Sequence, residues 1–277
     1  MTDESTQRRG RGRPRNSLSD VQGGTLQSLD RALLILTGLA RQGRSNLTDI
    51  SLRLGVPTAT THRILNTLQG RGFAEFDEAT QEWMVGVEAF RIGAAFVHRS
   101  GLAEICRPVM RQLMAATGET ANLAVVHDGD VVFIEQVETQ HPIRAFFQPG
   151  ARARMHASGT GKALLAEMGR GQVEAIIRRN GLEEYTAQTL TQSERLFADL
   201  EETRRRGWSF DNEERYAGMS CIGAAILNAT GEPVAGISVS GPTTRFSQRH
   251  AAEIGPLVRR AALDVSAALG WDGSSAA

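Results

Sequence analysis

Apolar positions along the chain change their period several times, and each change marks an element. Leu26, Leu29, Leu33, Leu34, Ile35 and Leu36 crowd one broad face, which predicts a helix over residues 25–41 that Gly43 stops. Asn46 or Thr48 can cap a short second helix reaching Leu54. Gly55-Val56-Pro57 then breaks the chain, and Thr58 opens a third helix ending near Gly70. Leu52, Leu54 and Val56, with Ile64, Leu65 and Leu68, are the apolar side chains expected to hold these two helices at a fixed angle. Residues 73–76 and 82–85 read as two short strands joined by the turn-prone Asp77-Glu78-Ala79-Thr80. Helices followed by a hairpin predict a winged helix-turn-helix over residues 25–86.

Helical spacing resumes over 87–104, read as a linker helix, and continues around Pro108 to Thr117. Beyond Gly118, strand-like runs at 121–127, 131–137 and 143–147 give way to helical runs at 161–168, 173–179 and 193–206. Two more strand-like runs, 220–227 and 234–240, precede a final helix over about 248–269. This order predicts a mixed α+β domain over 105–277, built on a largely antiparallel sheet.

Composition adds the rest of the organisation. Residues 1–24 are rich in Arg, Gly, Ser, Asp and Gln and nearly devoid of apolar side chains, so they read as a basic arm unable to bury enough surface to order itself. With 41% hydrophobic and 22% charged residues, the 277-residue chain is neither fibrous nor disordered as a whole and suits two ordinary domains. No apolar run approaches the roughly 20 residues of a membrane span, and the start lacks a secretory signal's apolar stretch, so a cytoplasmic protein without membrane partners is expected. Cys106 and Cys221 lie far apart, outside any C-x-x-C spacing, and read as reduced thiols. The net charge of zero conceals an asymmetry: residues 1–72 carry 11 Lys+Arg against 5 Asp+Glu, which leaves 20 against 26 for the remainder. A basic front beside an acidic rear suggests that the front meets a polyanion.

Double-stranded DNA is the polyanion that the front half suits. The second helix of a helix-turn-helix enters the major groove, and its first turns need short polar side chains and donors. Thr58, Thr60, Thr61, His62 and Arg63 supply them, with Arg63 suited to a guanine edge or to a phosphate. Ahead of them, Arg11-Gly12-Arg13-Pro14-Arg15 resembles the AT-hook core of minor-groove binders, in which Arg11 and Arg13 would enter a narrow A·T-rich groove. A bare basic tail is the other reading.

In the rear half, His156-Ala157-Ser158-Gly159-Thr160-Gly161-Lys162-Ala163 joins a small-residue loop to a helix start, where free backbone N–H groups favour an anion. It is no phosphate-binding P-loop, because His156 stands at the first glycine and Ala163 where Ser or Thr would hold magnesium, so no nucleotide cofactor is expected. Asp211-Asn212-Glu213-Glu214, then Cys221, then Ser238 and Ser240 on one strand face follow. Cys221, His156 and Asp211 also permit a cysteine-nucleophile hydrolase, although nothing in the sequence brings His156 to Cys221. His127, His141, His156 and Cys221 match no zinc spacing, so no metal is expected.

The glycine-lysine helix start, the D-N-E-E segment ten residues before the cysteine and the closing S-V-S-G-P occur in order behind the helix-turn-helix. In this the chain resembles the IclR family of bacterial regulators over nearly all of residues 26–269. The resemblance implies a GAF-like effector domain, homodimers or dimers of dimers on a near-palindromic operator, no enzymatic activity, and control of catabolic genes by repression or activation. The set Asp211, Cys221, Ser238 and Ser240 is similar to the pocket of glyoxylate-responsive members, such as the allantoin-pathway repressor and the β-hydroxyaspartate-cycle regulator. By that likeness, N–H groups around Gly159, Thr160 and Gly161 and the two serine hydroxyls would hold the carboxylate of glyoxylate, or of pyruvate as the second choice. Asp211 and Cys221 would meet its other end. Ala124, Ile222, Met155 and Leu164 could size the pocket or be ordinary core.

Overall fold

A computed structural model describes residues 26–99, 101–145, 147–246 and 248–273. The arm expected over 1–24, with Arg11 and Arg13, lies outside these residues. The chain divides between Ala95 and Phe96 into two compact units.

The first unit runs α1 (Gln27–Gln42), β1 (Ser45–Asn46), α2 (Leu47–Leu54), α3 (Thr58–Gly70), β2 (Ala74–Asp77), β3 (Glu82–Val85) and the start of α4 (Val87–Arg99). Asn46 is the cap of α2: its side chain accepts from Asp49 N at 2.9 Å, and left-handed Gly55 ends the helix. Ile35, Leu39, Ile50, Leu65 and Trp83 form the core, and Gly38 lets α1 approach Leu54, whose Cδ1 would lie 2.9 Å from any added Cβ. Leu52 does not join that core as expected. It is 75% exposed, because Ile50, Ser51 and Leu54 take the inward side of so short a helix. The hairpin is widened by β1, which pairs with β3, a two-residue strand too short for any periodicity. The linker helix expected over 87–104 stops at Arg99, and left-handed Gly101 precedes a separate helix, α5 (Leu102–Thr117).

The second unit continues with β4 (Thr120–His127), β5 (Asp130–Val137), β6 (Arg152–Arg154), α6 (Gly159–Glu167), α7 (Arg170–Asn180), α8 (Ser193–Arg206), β7 (Ser209–Asn212), β8 (Met219–Leu227), β9 (Pro233–Pro242) and α9 (Gln248–Ala268). Six strands form one antiparallel sheet in the order β6-β5-β4-β9-β8-β7. Strand alternation sorts its faces. Ala121, Leu123, Ile222, Ala224, Ile237 and Val239 meet Cys106, Met110, Val258 and Val265 of α5 and α9. The opposite face carries Asn122, Cys221, Gly223, Gly236, Ser238 and Ser240 and receives α6. The strand expected over 143–147 is absent from its described residues. Arg144 pairs with Glu138, the Ile143 carbonyl accepts from Arg245, and the chain reaches the β5 edge only at Gly150 and Ala151, before β6. Ser209–Asn212, which show no apolar alternation, form the strand at the other edge.

Two features seat α6. Glycines remove the side chains between helix and sheet: a Cβ on Gly223 would lie 2.6 Å from Gly159 C, and one on Gly236 2.5 Å from Thr160 Cγ2. The second is Lys162, the one lysine of the chain, fully buried on α6. Its Nζ donates to Glu214 Oε1 at 2.6 Å and to the Phe210 carbonyl at 2.7 Å, and it stands 3.0 Å from Asp199 Oδ2 on α8. Burial disfavours its charge, but Glu214 and Asp199 outweigh burial and hold the ammonium's pKa above the ordinary value. With Asp211 also nearby, three carboxylates surround one cation. Burial pushes Glu214 up to about 8 and Asp211 up to about 6 against the pull of Lys162, so the coupled pair holds a proton at neutral pH.

That arrangement predicts the outcome of Lys162→Met. Denaturant unfolding at pH 8 should show a loss of about 3–5 kcal/mol, the cost of orphaning buried charges. At pH 5 the loss should be smaller, since protons on Glu214 and Asp211 then replace the missing ammonium.

Candidate functional site

Sheet register builds the site. Asp211 on β7 lies opposite Cys221 on β8, which lies opposite Ser240 on β9, so the three form one row across three strands. Next to it runs a second row, Ser209, Gly223, Ser238 and Asn122. The first turn of α6 sits on the second row, where the Ser209 hydroxyl donates to the Gly159 carbonyl. The first row stays open to a cavity of about 50 Å³. Its wall includes Asp211, Cys221, Ser240, Arg215, Arg152 and the stacked pair Phe133–Phe147, whose ring centroids are 4.6 Å apart.

Of the residues expected to bind an effector, Asp211, Cys221 and Ser240 therefore share one cavity. Gly159, Thr160, Gly161 and Ser238 are buried behind it. The helix start is also less available than expected: Gly161 N donates to the Ser158 side chain at 3.3 Å, and the Thr160 N–H faces Cys221. Among the described residues Thr160 Oγ1 has no hydrogen-bond partner, and the Ser238 hydroxyl faces the Cys221 sulfur. Ala124, Ile222, Met155 and Leu164 are core, not cavity wall.

Electrostatics sort the remaining chemistry. Burial and the neighbouring Asp211 push the Cys221 thiol up to about 11, against the Ser240 and Ser238 hydroxyls and the Thr160 N–H. A nucleophile needs a thiolate, and this sulfur is a neutral thiol at physiological pH. His156 does not serve it either. Its Nε2 is bonded to the Glu183 carbonyl at 2.9 Å, its ring stacks near Tyr185, and burial lowers its pKa. The hydrolase arrangement is thus not assembled, and among the described residues no three His, Cys, Asp or Glu side chains gather as metal ligands. What the wall offers is a set of hydrogen-bonding groups. Asp211 Oδ1 accepts from Glu214 N at 2.8 Å, and Asn122, held by Gln136, donates to Ser240 Oγ at 3.2 Å. That bond leaves the Ser240 proton to point elsewhere. Asn122 and Gln136 stand in no motif of the sequence, and strand pairing alone brings them to Ser240.

The proposed reading helix divides as sharply. On α3, Thr58, His62 and Arg63 are exposed and Thr60 is half-buried, whereas Thr61 is fully buried and donates to the Val56 and Pro57 carbonyls at 3.2 Å. Thr61 therefore holds the turn and is removed from the reading set. The Thr58 hydroxyl lies 3.0 Å from Ser51 Oγ on α2. Helical spacing adds Ala59 and Asn66 to the exposed face of His62 and Arg63, a pattern visible in the sequence at i, i+3, i+4 and i+7. None of the helices among the described residues is long and apolar enough to cross a membrane.

Comparison with known proteins agrees with both halves. Residues 28–78 match the IclR helix-turn-helix domain, and residues 94–267 match the bacterial transcriptional regulator IclR C-terminal domain. The chain is 48% identical over 265 residues to the HTH-type transcriptional regulator BhcR of Paracoccus denitrificans, covering 95% of each chain. It is 39% identical over 266 residues to the HTH-type transcriptional repressor AllR of Escherichia coli K12, covering 96% of this chain and 98% of the relative. Its fold matches the crystal structure of an IclR-type regulator from Alicyclobacillus acidocaldarius with a TM-score of 0.78 at 24% identity, over 88% of this chain and 99% of that one. Both domain matches and both relatives place the chain in the same group, and it belongs to the IclR family of bacterial transcriptional regulators, not to a family of enzymes.

Proposed function

We propose that this regulator controls a catabolic operon as a repressor whose grip on DNA is loosened by a two- or three-carbon 2-oxo acid, glyoxylate first and pyruvate second. The observation that carries the reading is the cavity's size. One water needs roughly 10–15 Å³ of such space, so about 50 Å³ suits a handful of heavy atoms. The polar wall supports the same class. A hydrated aldehyde can donate to Asp211 and accept from Ser240, and the stacked phenylalanines limit the third substituent. Pyruvate replaces the aldehyde hydrogen by a methyl, and a wall this close discriminates by that one group.

On the DNA side, His62, Arg63 and Asn66 would read the major groove while Thr58 and Thr60 sit near the backbone. The Arg11 and Arg13 arm would add minor-groove contacts. Uncovered apolar side chains on α1 and α4, among them Leu29, Leu33, Val87 and Phe90 at 77% exposure, support a homodimer formed through these helices. Such a dimer sets a two-fold operator with half-sites one helical turn apart, and the family resemblance adds a dimer of dimers. Action in the cytoplasm follows from binding chromosomal DNA.

Two measurements test this reading. Calorimetry should give saturable glyoxylate binding to the wild-type protein, weaker pyruvate binding, and a loss of roughly 5- to 30-fold for Ser240→Ala and for Asp211→Asn, as expected for one buried hydrogen bond. Fluorescence anisotropy on an operator fragment at fixed salt should show glyoxylate weakening binding by roughly 5- to 150-fold. In the same assay Arg63→Ala should cost about 1–3 kcal/mol. Thr61→Ala should instead lower thermal stability by about 1 kcal/mol and leave sequence preference intact.

A further inference from the structure

The outer edge of the sheet is paired over only part of its length. β7 lies against β8 as far as Ser209 opposite Gly223, whereas β8 runs on to Leu227. Beyond that last pair the ends of α6 and α8 and one face of α9 take the place of a strand, and the Leu227 N–H donates to Ser266 Oγ of α9 at 2.9 Å. Together they frame a cavity of about 400 Å³. Its size is that of a small-molecule site, and it shares no wall residue with the effector cavity.

Three charged side chains and an apolar surface of Trp271, Leu227 and Leu263 line it. The fold places each charge. Arg204, in the last turn of α8, donates from Nε to the Ala166 carbonyl at 2.7 Å, one of the carbonyls that the end of α6 leaves unbonded. Its Nη groups have no acceptor among the described residues. Arg259 of α9 lies across left-handed Gly207, where an added Cβ would stand 2.7 Å from its Cδ, and its guanidinium has no bonded partner among the described residues. Glu167 is the last residue of α6, where the partial negative charge of the helix end disfavours an anion. Burial raises its pKa above the ordinary carboxylate value, against the charges of Arg204 and Arg259, yet among the described residues no ion pair closes between it and either arginine. The neighbouring Arg205 and Arg260 are, by contrast, spent on carboxylates of their own helices, Glu202 at 2.6 Å and Asp264 at 3.0 Å.

Charges of both signs held apart in one cavity suit a molecule that carries both. A carboxylate matches the fork of a guanidinium, and an ammonium matches a carboxylate with no other partner. We infer that this cavity is a second ligand site, for an α-amino acid with a large apolar side chain. Arg204 and Arg259 take its carboxylate, Glu167 takes its ammonium, and Trp271 and Leu263 cover its side chain. Nothing in this site depends on what the effector cavity binds.

Calorimetry on the full-length protein tests the assignment with three probes: phenylalanine, hydrocinnamate, which lacks the ammonium, and phenethylamine, which lacks the carboxylate. Wild type should bind phenylalanine saturably, and each analogue roughly 10- to 100-fold more weakly, the worth of charge-assisted hydrogen bonds. Arg259→Gln and Glu167→Gln, both at exposed positions, should each weaken phenylalanine binding by a similar factor and leave thermal unfolding unchanged. Phenylalanine that fails to bind wild type, that is matched by either analogue, or that binds both variants as tightly as wild type would overturn the assignment. So would loss of the phenylalanine isotherm on adding glyoxylate, since competition would place the amino acid in the effector cavity.

Discussion

The second unit is organised around one buried ammonium. In a chain with 30 arginines, the single lysine sits where no arginine would serve. A guanidinium presents five donors in a rigid plane, whereas the three donors of an ammonium rotate to suit their surroundings. Lys162 finds Glu214, the Phe210 carbonyl and Asp199, groups drawn from the β7 edge, the turn after it and α8. These elements follow one another along the chain, well after α6, and the cation is what ties them to that helix. Part of the surplus of carboxylates around it is offset by a retained proton.

Close approach of α6 to the sheet is the other half of the same design. Gly159, Gly223 and Gly236 remove every side chain that would hold the helix off, and Gly159 comes so near β8 that a methyl there would lie 2.8 Å from Cys221 Sγ. Contact this tight consumes the helix start. Its first carbonyl is bonded by Ser209, its third N–H by Ser158, and Ser238 is sealed beneath it. What remains for a ligand is the row in front, with Asp211, Cys221 and Ser240 in register.

Much of this was legible in the sequence, and the failures have physical reasons. Long amphipathic stretches and apolar alternation identified α1, α8, β4, β8 and β9, because burial on one face imposes a period. Ser209–Asn212 was invisible, since an edge strand facing glycine and a polar cavity needs no apolar alternation. Residues 143–147 alternate like a strand but are fastened by arginine side chains, an arrangement that no local pattern encodes. In the site, Asp211, Cys221 and Ser240 were found as separate motifs, yet Ser238 looked equivalent to Ser240 because both share a strand face. Only the position of α6 separates a sealed serine from an open one.

The smallness of the cavity constrains how the protein can respond. A ligand of five heavy atoms yields at most about 1.5 kcal/mol per atom, or roughly 7 kcal/mol in all, and so reaches micromolar affinity at best. At about a hundredfold excess over its Kd, even a ligand that binds only one of two states moves their balance by about 2.7 kcal/mol. Useful control of DNA binding typically takes about 1–3 kcal/mol. On the proposed reading there is little to waste, and almost all of the ligand's contacts must exist in one state and not in the other. Groups locked under α6 cannot provide that difference, because their partners are fixed by glycine packing in any state that keeps the helix seated. The discriminating contacts therefore belong to groups at the open cavity wall, Asp211 and Ser240 among them. Asp211 stands on β7, whose Phe210 carbonyl accepts from Lys162, so on that reading the strand facing the ligand is also tied to α6 and α8 through a single charge.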